Sequence, residues 1–143
     1  MLRILKLLWA LPITLFGLLI VVLALPSRPR VAWLRIGDTY ALCAWGGWLA
    51  VWLRRHPLGS MFAATLGHVV VARNARLLCE SGAHEYEHVR QTERWGVLLP
   101  FAYCLNGLWH LLRGRRFYWD NAFEVAAYRF GPERFVRGRA VRD

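Results

Sequence analysis

The chain reads as an α+β protein: an N-terminal transmembrane helix, a small β-sheet, then three helices. Three observations predict this. Residues 4–25 are apolar except for Lys6 and Thr14, about the 20 residues needed to cross the hydrocarbon core. Residues 31–72 carry short apolar runs broken by glycine-containing turns, a strand signature. Beyond residue 80 the apolar and polar residues fall into helical spacing, closed by Gly96 and by Gly114.

The first segment tolerates Pro12 and Gly17, as membrane helices do. Arg3 and Lys6 would also suit a signal peptide, but Ala24-Leu25-Pro26 lacks the small-x-small cleavage pattern. Residues 1–27 are therefore expected to stay as a membrane anchor. Arg28, Arg30 and Arg35 outweigh Arg3, Lys6 and the amino terminus, so the positive-inside rule predicts a cytoplasmic C-terminal domain, residues 28–133.

Within that domain, 26–29 (PSRP) is a linker, and strands at 31–36 and 39–43 flank the hairpin turn Gly37-Asp38. The run 44–53 is too short to span, and its three Trp suit an interfacial helix or re-entrant segment, with a core helix as the alternative. After the breaker at 56–59, strands are expected at 61–66 and 68–72 around Gly67. A helix follows over 81–95, with Ser81 as N-cap and Gly96 as stop. A strongly apolar helix over 97–112 is interrupted by Asn106, Gly107 and His110. The last helix covers 121–129 and stops at Gly131-Pro132, leaving a basic tail over 134–143.

Composition narrows the partners. With 57% hydrophobic residues and eight Trp in 143 residues, there is more apolar surface than a small core buries, so membrane lipid is expected as a partner. The formal charge is +10, and Asp38 is the only acid in residues 1–79. Beside a membrane segment such a surface meets anionic headgroups. No nucleic-acid-binding motif accompanies it, so no nucleic-acid partner is expected. Cys43, Cys79 and Cys104 are odd in number and form no Cys-x-x-Cys pair, which predicts free thiols in a reducing compartment.

The chemistry-bearing stretch is His84-Glu85-Tyr86-Glu87-His88. Each helical residue advances about 100°, so residues four apart share a face one turn apart. Two neutral imidazoles there can bind one Zn²⁺ and leave other corners of its tetrahedron open. Glu85 lies beside that face, where a carboxylate can take a proton from a zinc-activated water. A third ligand must come from another element. Glu93 lies on the same helix off the His stripe, so Asp120 and Glu124 are the candidates. Ala127, one turn from Glu124, would let the last helix approach closely. Gln91 continues the His stripe toward the site, and Trp95 does so as packing.

The segments HEYEHVRQ at 84–91 and NAFEVAA at 121–127 resemble the gluzincin metallopeptidases, in particular compact minigluzincin-like domains. In that group HExxH is followed by a helix with a glutamate ligand in an N-x-x-E-x-x-A-like setting. TLGHVVV at 65–71 stands where the group has the strand that precedes its active-site helix. The resemblance implies a zincin-like site with His84, His88 and Glu124 as Zn²⁺ ligands and Glu85 as general base. It also implies hydrolysis of a peptide or protein substrate aligned along an edge strand, here 69–72. The chain departs from the group at Tyr128, where many members have an Asp that orients a metal-bound His. Asp120 or a backbone carbonyl is left for that role. Tyr118, Tyr128, His68 and His110 are candidate oxyanion donors. The competing expectation is a catalytically silent, zinc-stabilised membrane module, its metal closed off by a fourth ligand such as His110 or Glu87. Glu87 points away from the His stripe and His110 lies deep in an apolar helix, which favours an open, catalytic site.

Overall fold

The expected hairpin forms between Arg30–Ile36 (β1) and Thr39–Trp45 (β2), paired antiparallel from Ile36↔Thr39 to Arg30↔Trp45. This is a computed structural model describing residues 2–57 and 59–129. The expected stop at Gly131-Pro132 and the basic tail lie outside the described residues. A two-residue hairpin loop favours left-handed backbone at its first position, which Gly37 supplies with φ 61°. Glycine is needed there for space as well, because a Cβ would lie 2.4 Å from the Tyr86 ring.

Ala44 and Trp45, expected to open an apolar helix, extend β2 instead. The helix begins after Gly46, as Gly47–Arg54 (α2), and buries Leu49 and Leu53, one turn apart. Ala63–Leu66 (β3) and Val69–Ala72 (β4) pair antiparallel about Gly67-His68. Met61 and Phe62 fall short of the strand, although Phe62 O accepts the Arg73 N–H at 3.1 Å. β4 also runs parallel to β2, so the sheet order is β1-β2-β4-β3. All four β4 residues are buried, as expected of a strand covered on both faces.

Strand alternation sends Ala41, Cys43, Trp45, Val70 and Ala72 to one face and Ala44, Val69 and Val71 to the other. On the first face packs Ala75–Trp95 (α3), through Ala75, Leu78, Tyr86 and Val89. The helix begins before the predicted Ser81 cap. Asn74 is the N-cap, its Oδ1 accepting the Leu77 N–H at 2.8 Å, while the Ser81 hydroxyl donates inside the helix to Leu77 O. A single 3-10 turn, Gly96–Leu98, then leads into Leu99–Leu112 (α4), and the chain returns through Ala122–Arg129 (α5).

The second face is covered by α2 and by Leu2–Ala24 (α1). α1 therefore forms a layer of the fold. Its Val21 and Ala24 join Leu49, Leu53, Val69 and Val71, and the Thr14 hydroxyl accepts the His68 N–H at 3.1 Å. The outer side is apolar and exposed, including Leu8, Leu15, Phe16, Leu19 and Leu23. Two helical runs, Arg3–Ser27 and Ala75–Leu112, are long and apolar enough to cross a bilayer.

Gly17 marks a tight seam of this layer, since a Cβ would lie 2.8 Å from Leu66 O and 2.9 Å from the Val69 Cβ. Backbone cannot yield as a flexible side chain does. Gly17→Ala should therefore cost about 1–3 kcal/mol by overpacking, read as a lower thermal midpoint in detergent. An unchanged midpoint would mean that α1 does not dock against the β3–β4 turn.

Candidate metal centre

α3 runs unbroken through 84–88, so His84 and His88 share a face with ring centroids 4.6 Å apart. Their Nε2 atoms are 3.0 Å from each other. α5 brings Glu124 to the same point: Oε2 is 3.2 Å from His84 Nε2 and Oε1 is 3.5 Å from His88 Nε2. Ligand atoms about 2.0–2.2 Å from a tetrahedral zinc stand roughly 3–4 Å apart. Glu124 Oε2, though near His84, has no hydrogen-bond partner and is buried, as is His84 Nδ1. Two imidazole nitrogens and a carboxylate thus converge, with one carboxylate oxygen left unpaired. This donor set fits Zn²⁺. Burial tends to raise the Glu124 carboxyl pKa, but the His84 and His88 imidazoles beside it override this and hold the group well below the ordinary carboxylate range. The charge is kept where a cation would sit.

The approach of α5 has local causes. Asn121 is fully buried; its Oδ1 accepts the Phe123 N–H at 3.1 Å and its Nδ2 donates to Tyr103 O at 3.0 Å. Asn106 Oδ1 accepts the Ala122 N–H at 2.8 Å, so the polar break in α4 caps α5. Ala127, 1% exposed, faces inward as expected. The Tyr103 hydroxyl donates to Glu124 Oε1 at 2.8 Å. Nothing in the sequence singled Tyr103 out, because the contact arises only from the fold-back of α4.

Gln91 does reach the site. Its Nε2 donates to Phe123 O at 2.9 Å, which turns Oε1 toward His88 Nδ1, also at 2.9 Å. In a neutral His88 this contact places the proton on Nδ1 and leaves the Nε2 lone pair on the converging point. A backbone carbonyl of α5 so orients a histidine on α3 through Gln91. His84 has no such partner. The Tyr128 ring packs on it instead, centroids 4.5 Å apart, at the position where an orienting Asp was missed. Asp120 is neither ligand nor orienting group: its Oδ2 accepts the Arg116 N–H at 2.8 Å.

Glu85 is 3% exposed, and its Oε2 accepts from the Thr65 hydroxyl of β3 at 2.7 Å. It stands outside the ligand group, while its charge reaches His88. The strand beside it is β3. The expected 69–72 strand is β4, which is paired on both sides by β2 and β3 and has no free edge. Among the oxyanion candidates, Tyr118 and Tyr128 border the centre, with hydroxyls 3.5 Å apart and Tyr118 helping to hold the Glu124 charge. His68 belongs elsewhere, between Thr14 and Glu93. Neither His110 nor Glu87 joins the ligand group among the described residues, and Glu87 pairs with Arg90. All three cysteines are free.

Comparison of the chain with protein-family models, curated proteins and solved structures returns no match.

Because Gln91 orients His88 and joins it to the Phe123 carbonyl, Gln91→Leu should weaken zinc binding about 10–100-fold. Competition titration against a chromophoric chelator reads this. Wild-type affinity in the Leu variant would show that His88 does not need the Phe123–Gln91 relay.

Proposed function

We propose that this chain is a membrane-held zinc metallopeptidase, with His84, His88 and Glu124 holding Zn²⁺ and Glu85 as general base. The observation that carries this reading is the convergence of three donor groups on one point with no fourth protein ligand among the described residues. Bound there, Zn²⁺ would supply Lewis acidity and bring the pKa of a water to about 7. The side chains supply the remainder. Glu85, oriented by Thr65, takes the proton from the attacking water and hands it to the leaving amine. Gln91 keeps the His88 lone pair available, and Tyr103 holds one Glu124 oxygen. Tyr118 or Tyr128 donates to the developing oxyanion.

The edge strand supports a peptide substrate in particular. β3 ends the sheet order, and its Thr65 touches Glu85. An extended peptide added to this edge would pass the general base in a register set by main-chain hydrogen bonds. Lipid contact falls to the exposed apolar sides of α1 and α4, including Phe101, Leu105 and Leu108 on α4. The positive-inside balance assigns the domain to the cytoplasmic side. Cleavage would then occur close to the bilayer surface.

The tight Thr65–Glu85 hydrogen bond also suits a second reading, a silent module in which zinc ties α3 to α5. One substitution separates the two. Glu85→Gln keeps the shape and removes the base, so turnover of a fluorogenic peptide library should fall about 10²–10⁴-fold with zinc content unchanged. Activity undiminished by the change excludes Glu85 as base. A zinc-loaded wild type that cleaves no peptide in the library favours the silent module.

A further inference from the structure

β2 and β4 are adjacent and parallel, and the helices that follow them leave on opposite faces: α2 joins the α1 layer, α3 the other. Such a point opens a crevice outside the carboxyl ends of the strands, the usual ligand position in sheets with parallel strands. Here that crevice is a cleft of about 290 Å³ lined by Trp45 and Gly46 at the end of β2, by Arg73, Asn74 and Ala75 after β4, and by Arg28 and Arg30. Three arginines from two segments therefore face one cleft. Among the described residues no ion pair joins any of them to a carboxylate. The one acid in residues 1–79, Asp38, precedes β2 at its far end, roughly 20 Å away by strand rise and beyond a Debye length of about 8 Å.

The remaining lining also suits an anion. α3 starts here with no acid in its first turn, and its leading N–H groups have no intrahelical acceptor. Arg73 Nε is buried without a partner, although the same guanidinium donates to the Ser60 hydroxyl. At Gly46 a Cβ would meet nothing within 4 Å, so the backbone is open to close approach. The cleft lies just after α1, where Leu23 and the following Leu25 are exposed.

We infer that this cleft binds a phosphate group, carried by the headgroup of an anionic phospholipid. Guanidinium forks match phosphate oxygens in pairs, and the position after α1 sets the cleft at headgroup level. The choice of a lipid source rests on the membrane reading above; the phosphate chemistry does not.

The full-length chain in mild detergent would be titrated with short-chain phosphatidic acid, short-chain phosphatidylcholine and inorganic phosphate, following the thermal midpoint. Phosphatidic acid should raise the midpoint saturably and phosphatidylcholine should not. Arg28→Gln/Arg30→Gln, two exposed positions, should weaken that binding about tenfold or more, equivalent to about 1.4 kcal/mol, while Arg28→Lys/Arg30→Lys retains part of it. Inorganic phosphate binding as tightly as phosphatidic acid would keep the phosphate site and overturn the lipid source. No saturable binding of either, or equal binding by the Gln variant, overturns the site. Partition into neutral phosphatidylcholine vesicles, which the Gln variant should preserve, tests the membrane reading separately.

Discussion

Everything around α3 and α5 depends on three electron-pair donors being held against one another in a largely buried place. His84, His88 and the Glu124 carboxylate are side-chain exposed by 17%, 14% and 5%. A buried acceptor left unpaired costs about 1–3 kcal/mol, and more for a charged group. Two imidazole nitrogens 3.0 Å apart can share at most one proton. The unpaired Glu124 oxygen makes the arrangement costly as it stands, and a cation bound there would offset that cost. Much of the C-terminal half then has a reason: Asn106 and Asn121 cap α5, Tyr103 holds a Glu124 oxygen, and Gln91 ties the two helices together through a carbonyl.

α3 carries this point and also connects it to the rest of the molecule. Its Tyr86 packs over Gly37 and donates to Asp38, locking the hairpin beneath the helix. Glu85 faces β3, and Glu93 reaches His68 at 3.1 Å, which is tied in turn to Thr14 of α1. One helix thus presents separate sides to the sheet, to α5 and, through a polar link, to α1. Displacement of α3 would be felt at the His84–His88–Glu124 cluster and at the α1 layer together.

The residues at the centre were legible because their chemistry follows a local rule. Helical spacing by itself aligns His84 with His88, and few acids were left to choose from for the third ligand. Gly37 and Gly67 announced their turns. What stayed hidden depends on contacts distant in sequence. The apolar pattern of residues 4–25 does not say whether its inner face meets lipid or protein; the close seam of Gly17 on Leu66 and Val69 decides it. β4 read as a possible edge because the hydrophobic run 69–72 looks the same beside one neighbour or two, and its parallel pairing with β2 has no local signature. Ser81 and Asn74 are both good caps, and Asn74 starts α3 because Ala75 and Leu78 between them pack against the sheet. Tyr103 reaches Glu124 only once α4 has turned the chain back.

The central claim concerns the contents of one coordination sphere, and X-ray absorption at the zinc edge reads that directly. Full-length protein loaded with one equivalent of zinc should show only nitrogen and oxygen neighbours at about 2.0–2.1 Å, with the outer-shell scattering of two imidazoles. Glu124→Ala should change the first shell and leave the two-imidazole signal in place. A sulfur shell at about 2.3 Å, or a spectrum indifferent to Glu124→Ala, would contradict the account.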